Sequence, residues 1–186
     1  YRIVRPMSLS SRQAAPIVVL HGGPSVPSNY LYPLEQHVPY RSIVFYDQIG
    51  CGRSSEPTDP SLYSIEAAVD DLEDLLKKIG VRRFHLYGQS FGGILAFEYV
   101  KRLAERASDD SSGSVECLSV ILSSAPTCVT LVEQEANSLI AALDTSDEAV
   151  SVAERFRLEH QCRTPEMPAQ LADAYAHAGT VWRGTT

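Results

Sequence analysis

No apolar run in this chain approaches the roughly 18 to 20 residues that a membrane-crossing helix requires, so a soluble globular protein is the expectation. Positive charge is also short. Lys and Arg total 16 against 23 Asp and Glu, and the formal net charge of −7 disfavours a nucleic-acid or anionic-membrane partner. Cysteine is sparse and scattered: Cys51, Cys117, Cys128 and Cys162 form no C-x-x-C pair. Reduced thiols and a cytoplasmic location are therefore expected. The first residue is Tyr1 rather than methionine, and a targeting segment lost from the front fits that beginning equally well. No internal repeat is found. What remains, 44% hydrophobic and 21% charged over 186 residues, suits one domain that hides about 70% of its unfolded surface.

Strands and helices alternate along the first two thirds. Residues 1–5 read as a short strand, and Ala15 to Leu20 is a continuous apolar run of the kind buried on both faces of a sheet. Arg41 to Tyr46 is a second such run. Ile65, Ala68, Val69, Leu72, Leu75, Leu76 and Ile79 follow helical spacing, with Ser64 placed to cap the start and Gly80 just past the end. Lys77 and Lys78 favour the carbonyl end of that helix. A strand from Arg83 to Tyr87, a helix to about Ala107 and a strand from Glu116 to Ser123 complete the series. Such alternation predicts an α/β fold, a mostly parallel sheet with helices on both faces. The polar stretch Ala107 to Ser114 reads as an exposed loop. After Pro126 the strand patterns stop, and helical ones take over: Val132 to Leu143, Ala149 to Phe156 and Leu171 to Ala178. The expected organisation is an α/β core over residues 1–125 and a helical cap over 126–186.

The most informative stretch joins the fourth strand pattern to the helix that follows. Gly88-Gln89-Ser90-Phe91-Gly92 has the G-x-S-x-G form of a nucleophile elbow, and it lies between a strand and a helix, where such an elbow must lie. Small residues around the serine let the chain turn sharply and lift the hydroxyl clear of the sheet. Ser90 is the predicted nucleophile. Acyl transfer also needs donors for the oxyanion that develops on the carbonyl oxygen. The backbone N–H of Phe91 is one candidate, because it follows the nucleophile and opens the helix. Gly23 N–H is the other, from the loop His21-Gly22-Gly23-Pro24 after an earlier strand. His21 itself is expected to fix that loop rather than act as a base. Asp47 and Arg53 read as turn and ion-pair residues, and Cys51, with no base in view, as incidental.

Three segments in order, His21-Gly22-Gly23-Pro24, Asp47-Gln48-Ile49-Gly50-Cys51-Gly52-Arg53-Ser54 and Gly88-Gln89-Ser90-Phe91-Gly92-Gly93, resemble the motifs of the proline iminopeptidase family of α/β-hydrolases. The similarity runs from about Pro16 into the cap, where Arg155-Phe156 to Arg163 and Thr180 to Gly184 look like family segments. Ser25 departs from the pattern, since the family usually has glycine there. The resemblance implies an α/β-hydrolase fold and a serine aminopeptidase that releases an N-terminal residue, often proline, from short peptides with a free N-terminus. It implies no metal and no cofactor.

In that fold the acid and histidine of the triad follow the last core strands, and both strands come after the cap in the family. The chain stops at Thr186, inside or barely past the cap. His37, His85, His160 and His177 follow no terminal strand, and the i, i+4 pair Asp173 and His177 reads as a solvated helix face. The expectation is a chain that lacks the last core strands, with catalytic acid, histidine and amine-binding acids all outside it, and that is inactive alone. An esterase or lactone hydrolase built on the same elbow, or a ligand-binding protein without turnover, are the alternatives.

Overall fold

A computed structural model describes residues 1–6, 14–106, 115–144, 146 and 149–182. Five strands form one sheet: β1 (Arg2–Val4), β2 (Ile17–Leu20), β3 (Ile43–Phe45), β4 (Arg83–Gln89) and β5 (Glu116–Ser123). Their spatial order is β1-β3-β2-β4-β5; β1 runs antiparallel and the rest parallel. Helices are α1 (Leu34–His37), α2 (Ile65–Ile79), α3 (Phe91–Arg106), α4 (Val129–Ala141), α5 (Val152–Phe156) and α6 (Ala169–Ala176), with a π-helical turn at Arg157–Gln161. The predicted loop at 107–114 lies outside the described residues.

Alternation along the strands sends side chains to two cores. Val18, Leu20, Val44, Phe84 and Leu86 meet the apolar stripes of α2 and α3 on one face, among them Leu72, Leu76, Leu95 and Tyr99. Val19, Ile43 and Phe45 point the other way, against Leu31, Tyr32 and Leu34. The second face is thus covered by α1 and the 3-10 turn Ser28–Leu31. Both faces carry helix, as the alternation predicts, but the cover is uneven. Central strands β2 and β3 are buried almost throughout. By contrast β5 lies at the sheet's edge, with Leu118 at 37%, Ile121 at 49% and Leu122 at 51% exposure.

Local chemistry sets the ends of α2. Ser64 Oγ accepts the Ala67 N–H at 3.0 Å, and Gly80 at φ 69° closes the helix through its N–H to Lys77 O. After β5 the chain is helical, as expected. Its last helix, α6, docks on the 3-10 turn: Asn29 Nδ2 donates to the Asp173 carboxylate, Gly52 N–H to His177 O at 3.2 Å, and Gly179 N–H to Ser25 O at 2.9 Å. Pairing these groups ties the helical segment to two loops at the carboxyl ends of the parallel strands.

Candidate active site

Ser90 stands at the bend between β4 and α3, with φ of 53°. A non-glycine residue in this left-handed region costs on the order of 1 kcal/mol or more, and the surrounding backbone imposes it. Ser90 N–H donates to Ser123 O at 2.9 Å, and Gly93 N–H donates back to Ser90 O at 2.8 Å. The bend also requires α3 to press on β2. A Cβ at Gly92 would lie 2.1 Å from Leu20 O, so only glycine permits the approach. The Ser90 side chain is half-buried, and its hydroxyl has no hydrogen-bond partner among the described residues. Phe91, next in the chain, is the first residue of α3, where N–H groups have no carbonyl partner inside the helix.

The loop after β2 lies alongside. His21 is fully buried: its Nε2 accepts the Gln48 N–H at 2.9 Å, its Nδ1 donates to Gly22 O at 2.9 Å, and its own carbonyl accepts from Gln48 Nε2. Burial pushes its pKa down to about 4, against partial opposition from the Gly22 carbonyl and the Asp47 charge. A neutral imidazole with both nitrogens engaged holds two loops together, as expected of it. Gly22 N–H donates to Tyr30 Oη at 2.8 Å, and Tyr30 in turn donates to Gln89 Oε1 at 2.5 Å, which links this loop to the residue before Ser90. Gly23 has φ of 125°, and its bond to Pro24 is cis. Any side chain at Gly23 would meet the Ser25 and Val26 nitrogens at 2.6 and 2.7 Å.

Asp47 organises the loop after β3. Its carboxylate accepts from Ser28 N and Oγ, both at 2.8 Å, and from Arg53 N at 3.2 Å. Burial opposes the charge, but these hydrogen bonds outweigh it and hold the carboxyl below its ordinary pKa. Asp47 is therefore the turn residue foreseen. Arg53 needs a correction: it meets Asp47 through its backbone N–H, not through a guanidinium ion pair, because the turn aims the main chain at the carboxylate. Cys51 is buried beside His21, and burial raises its thiol to about 12, so it is inert near neutral pH.

Two cavities that differ in polarity meet at Ser90. One of about 450 Å³ is mostly apolar, with Phe91, Ile94, Val129, Val132 and Trp182 in its wall. The other, about 710 Å³, is the more polar of the two: Tyr30, Gln89, His160, Gln161 and Tyr175 share its wall with Pro24, Val26 and Leu171. Gly23 and Pro24 border both, so Gly23, Ser90 and Phe91 converge on one place. The helices after β5 supply most of the far wall. Sequence patterns revealed neither the Tyr30–Gln89 link nor the π turn that carries His160, since both depend on partners distant in the chain.

All five histidines are described. His21 is occupied as above. His37 is exposed at the end of α1. His85 sits on the sheet between Ser119 Oγ at 2.8 Å and Arg41 Nη1 at 3.2 Å, and burial, then the Arg41 charge, lowers its pKa. His177 pairs with Asp173 in a separate cavity beside Asp47, away from Ser90. His160 shares the more polar cavity with Ser90 but packs tilted against Phe156, ring centroids 5.2 Å apart at an interplanar angle of 56°, and makes no hydrogen bond to Ser90. Among the described residues no group of three or more His, Cys, Asp or Glu could hold a metal ion.

A mostly parallel sheet whose fourth strand breaks at a strained serine, with a glycine loop beside it and helices above, is the architecture of an α/β-hydrolase. The sequence model of the family described as alpha/beta hydrolase fold matches residues 15–177, and the chain belongs to that family. It is similar to the proline iminopeptidase of Lactobacillus acidophilus, 37% identical over 152 residues, which are 80% of this chain and 47% of that protein. With the proline iminopeptidase of Levilactobacillus brevis it shares 39% identity over 136 residues, 72% of this chain and 42% of the relative. The chain spans about half the length of the curated relatives it matches. Among solved structures, the proline iminopeptidase of Mycobacterium smegmatis superposes with a TM-score of 0.77 at 25% identity, covering 94% of this chain and 62% of that one. VinJ, at 23% identity and TM-score 0.78, shares the fold.

Proposed function

We propose that this chain carries the nucleophile half of a serine aminopeptidase that releases an N-terminal residue, often proline, from short peptides with a free N-terminus. The observation that carries the reading is the convergence of Ser90, Gly23 and Phe91 on one cavity. Ser90 Oγ attacks the scissile carbonyl, and the Gly23 and Phe91 N–H groups receive the oxyanion as it develops, giving an acyl-enzyme on Ser90. The helices after Pro126 act as a cap that closes over the serine. Support for a peptide substrate comes from the names of the relatives.

None of the five histidines hydrogen-bonds to Ser90, and we assign the acid and histidine of the triad to sequence outside these 186 residues. A triad stripped of its base loses several orders of magnitude in rate, so the chain alone should be nearly inactive. In a polypeptide that supplies the missing acid and histidine, proline β-naphthylamide should be hydrolysed and Ser90→Ala should remove that activity. Equal rates for the two proteins would sink the assignment. Strong fluorophosphonate labelling of Ser90 in the 186-residue chain would show that a base is present after all.

A further inference from the structure

The more polar cavity owes its wall to an unusual element. Cys162 N–H donates to Arg157 O at 2.7 Å, an i to i+5 bond that widens the chain into a π turn directly after α5. Turns of this kind recur at functional sites because they displace side chains from the positions a regular helix would give them. This one is held from beneath. Arg157 is 5% exposed, and all five of its N–H donors are engaged. Nε and Nη2 form a fork on the Glu154 carboxylate at 2.8 and 2.6 Å; Nη1 reaches Cys162 O and Thr164 O at 3.0 and 3.1 Å, and Nη2 reaches Pro165 O at 3.2 Å. A buried guanidinium saturated in this way fixes both the turn and the chain that leaves it. His160 and Gln161, at the end of the turn, face the cavity that contains Ser90.

We propose, resting on the peptidase reading, that His160 and Gln161 bind the main chain of the residues that follow the scissile bond, with Arg157 as their positioning residue. The apolar cavity with Phe91, Ile94 and Trp182 suits a side chain but offers little to a carbonyl or a carboxylate. The more polar cavity adds Tyr30, Gln89, His160 and Gln161 to a mostly apolar wall. An imidazole and a carboxamide present N–H donors to peptide carbonyls or to a terminal carboxylate, and these groups exist only on the leaving-group side of a substrate cleaved after its first residue.

Trp182, the sole tryptophan, sits in the wall of the apolar cavity against Phe91, with ring centroids 4.9 Å apart. Its emission therefore reports binding in the 186-residue chain without any need for turnover. Prolyl-alanyl-alanine and prolinamide are the probes, since both carry the same first residue and only the tripeptide has a main chain to follow it. The tripeptide should bind about tenfold more tightly, the gain that two net hydrogen bonds give. In the exposed double variant His160→Ala/Gln161→Ala, most of that tenfold preference should disappear, and Arg157→Lys, which keeps the charge but loses the fork, should erode it too. A purely structural role would lower both affinities together and leave the preference intact. That result, or equal affinities in the unaltered chain, overturns the proposal while the peptidase reading stands. If neither probe binds, the proposal falls, whereas the peptidase reading is decided separately by the hydrolysis assay with Ser90→Ala, since that reading puts the amine-binding acids outside these residues.

Discussion

Ser25 is held at φ 69°, and its buried hydroxyl has no hydrogen-bond partner among the described residues. A left-handed residue with a Cβ costs on the order of 1 kcal/mol, and an unsatisfied buried hydroxyl adds about 1 kcal/mol or more. Glycine would remove both penalties, at the expense of about 0.5–1 kcal/mol of extra backbone freedom in the unfolded chain. Ser25→Gly should therefore raise stability by about 1 kcal/mol, read as a higher urea midpoint with an unchanged slope. A lower midpoint would mean that the hydroxyl has a partner in solution. The same position was legible beforehand as the place where the loop departs from the family pattern, but its backbone angle was not. Ser25 O is held by the Gly179 N–H, from more than 150 residues away.

At the scale of single elements, what the sequence foretold tracks how local the cause is. Both ends of α2 are legible because Ser64 and Gly80 act on neighbours three or four residues away. The span of β5 is equally plain from its apolar run. The π turn at Arg157 could not be read, since it depends on carbonyls gathered from the chain beyond it. Arg53 misled for a related reason: an arginine near an aspartate suggests an ion pair, and only the fold shows that its main chain makes the contact. The outer edge of β5 carries a prediction of its own. Among the described residues nothing pairs with it, and Leu118, Ile121 and Leu122 stand exposed. Unpaired apolar edges recruit further strands. The chain should self-associate with rising concentration, and Ile121→Lys should shift it toward monomer in light scattering. An unchanged mass distribution would show that the edge is already covered.

Across the whole molecule, stability should follow pH through His21. Its pKa falls from 6.5 in the unfolded chain to about 4 in the fold because burial disfavours the imidazolium. Folding thus favours the neutral form; the contribution is complete above about pH 6.5 and drains away as pH falls toward 4. The full span corresponds to about 3 kcal/mol. Urea midpoints should drop between pH 7 and 4.5, and His21→Asn should start lower and show a shallower drop. A parallel decline in both proteins would assign the effect elsewhere. Asp47, held below its ordinary pKa, contributes in a separate and lower window, because its stabilisation fails only as its carboxylate is protonated.

The two main-chain bonds from the segment after α6, Gly52 N–H to His177 O and Gly179 N–H to Ser25 O, give the helical segment a hold on the loops beside Ser90 that no side chain can adjust. A Cβ at Gly179 would fall 1.6 Å from Gly50 O, so the seam admits glycine alone. A foreign helical segment grafted onto this core to change what reaches Ser90 would keep the serine and still fail, unless it returned a glycine to that seam and an N–H to Ser25. Selectivity and readiness of the site are in this sense welded at one joint, two residues from Gly23.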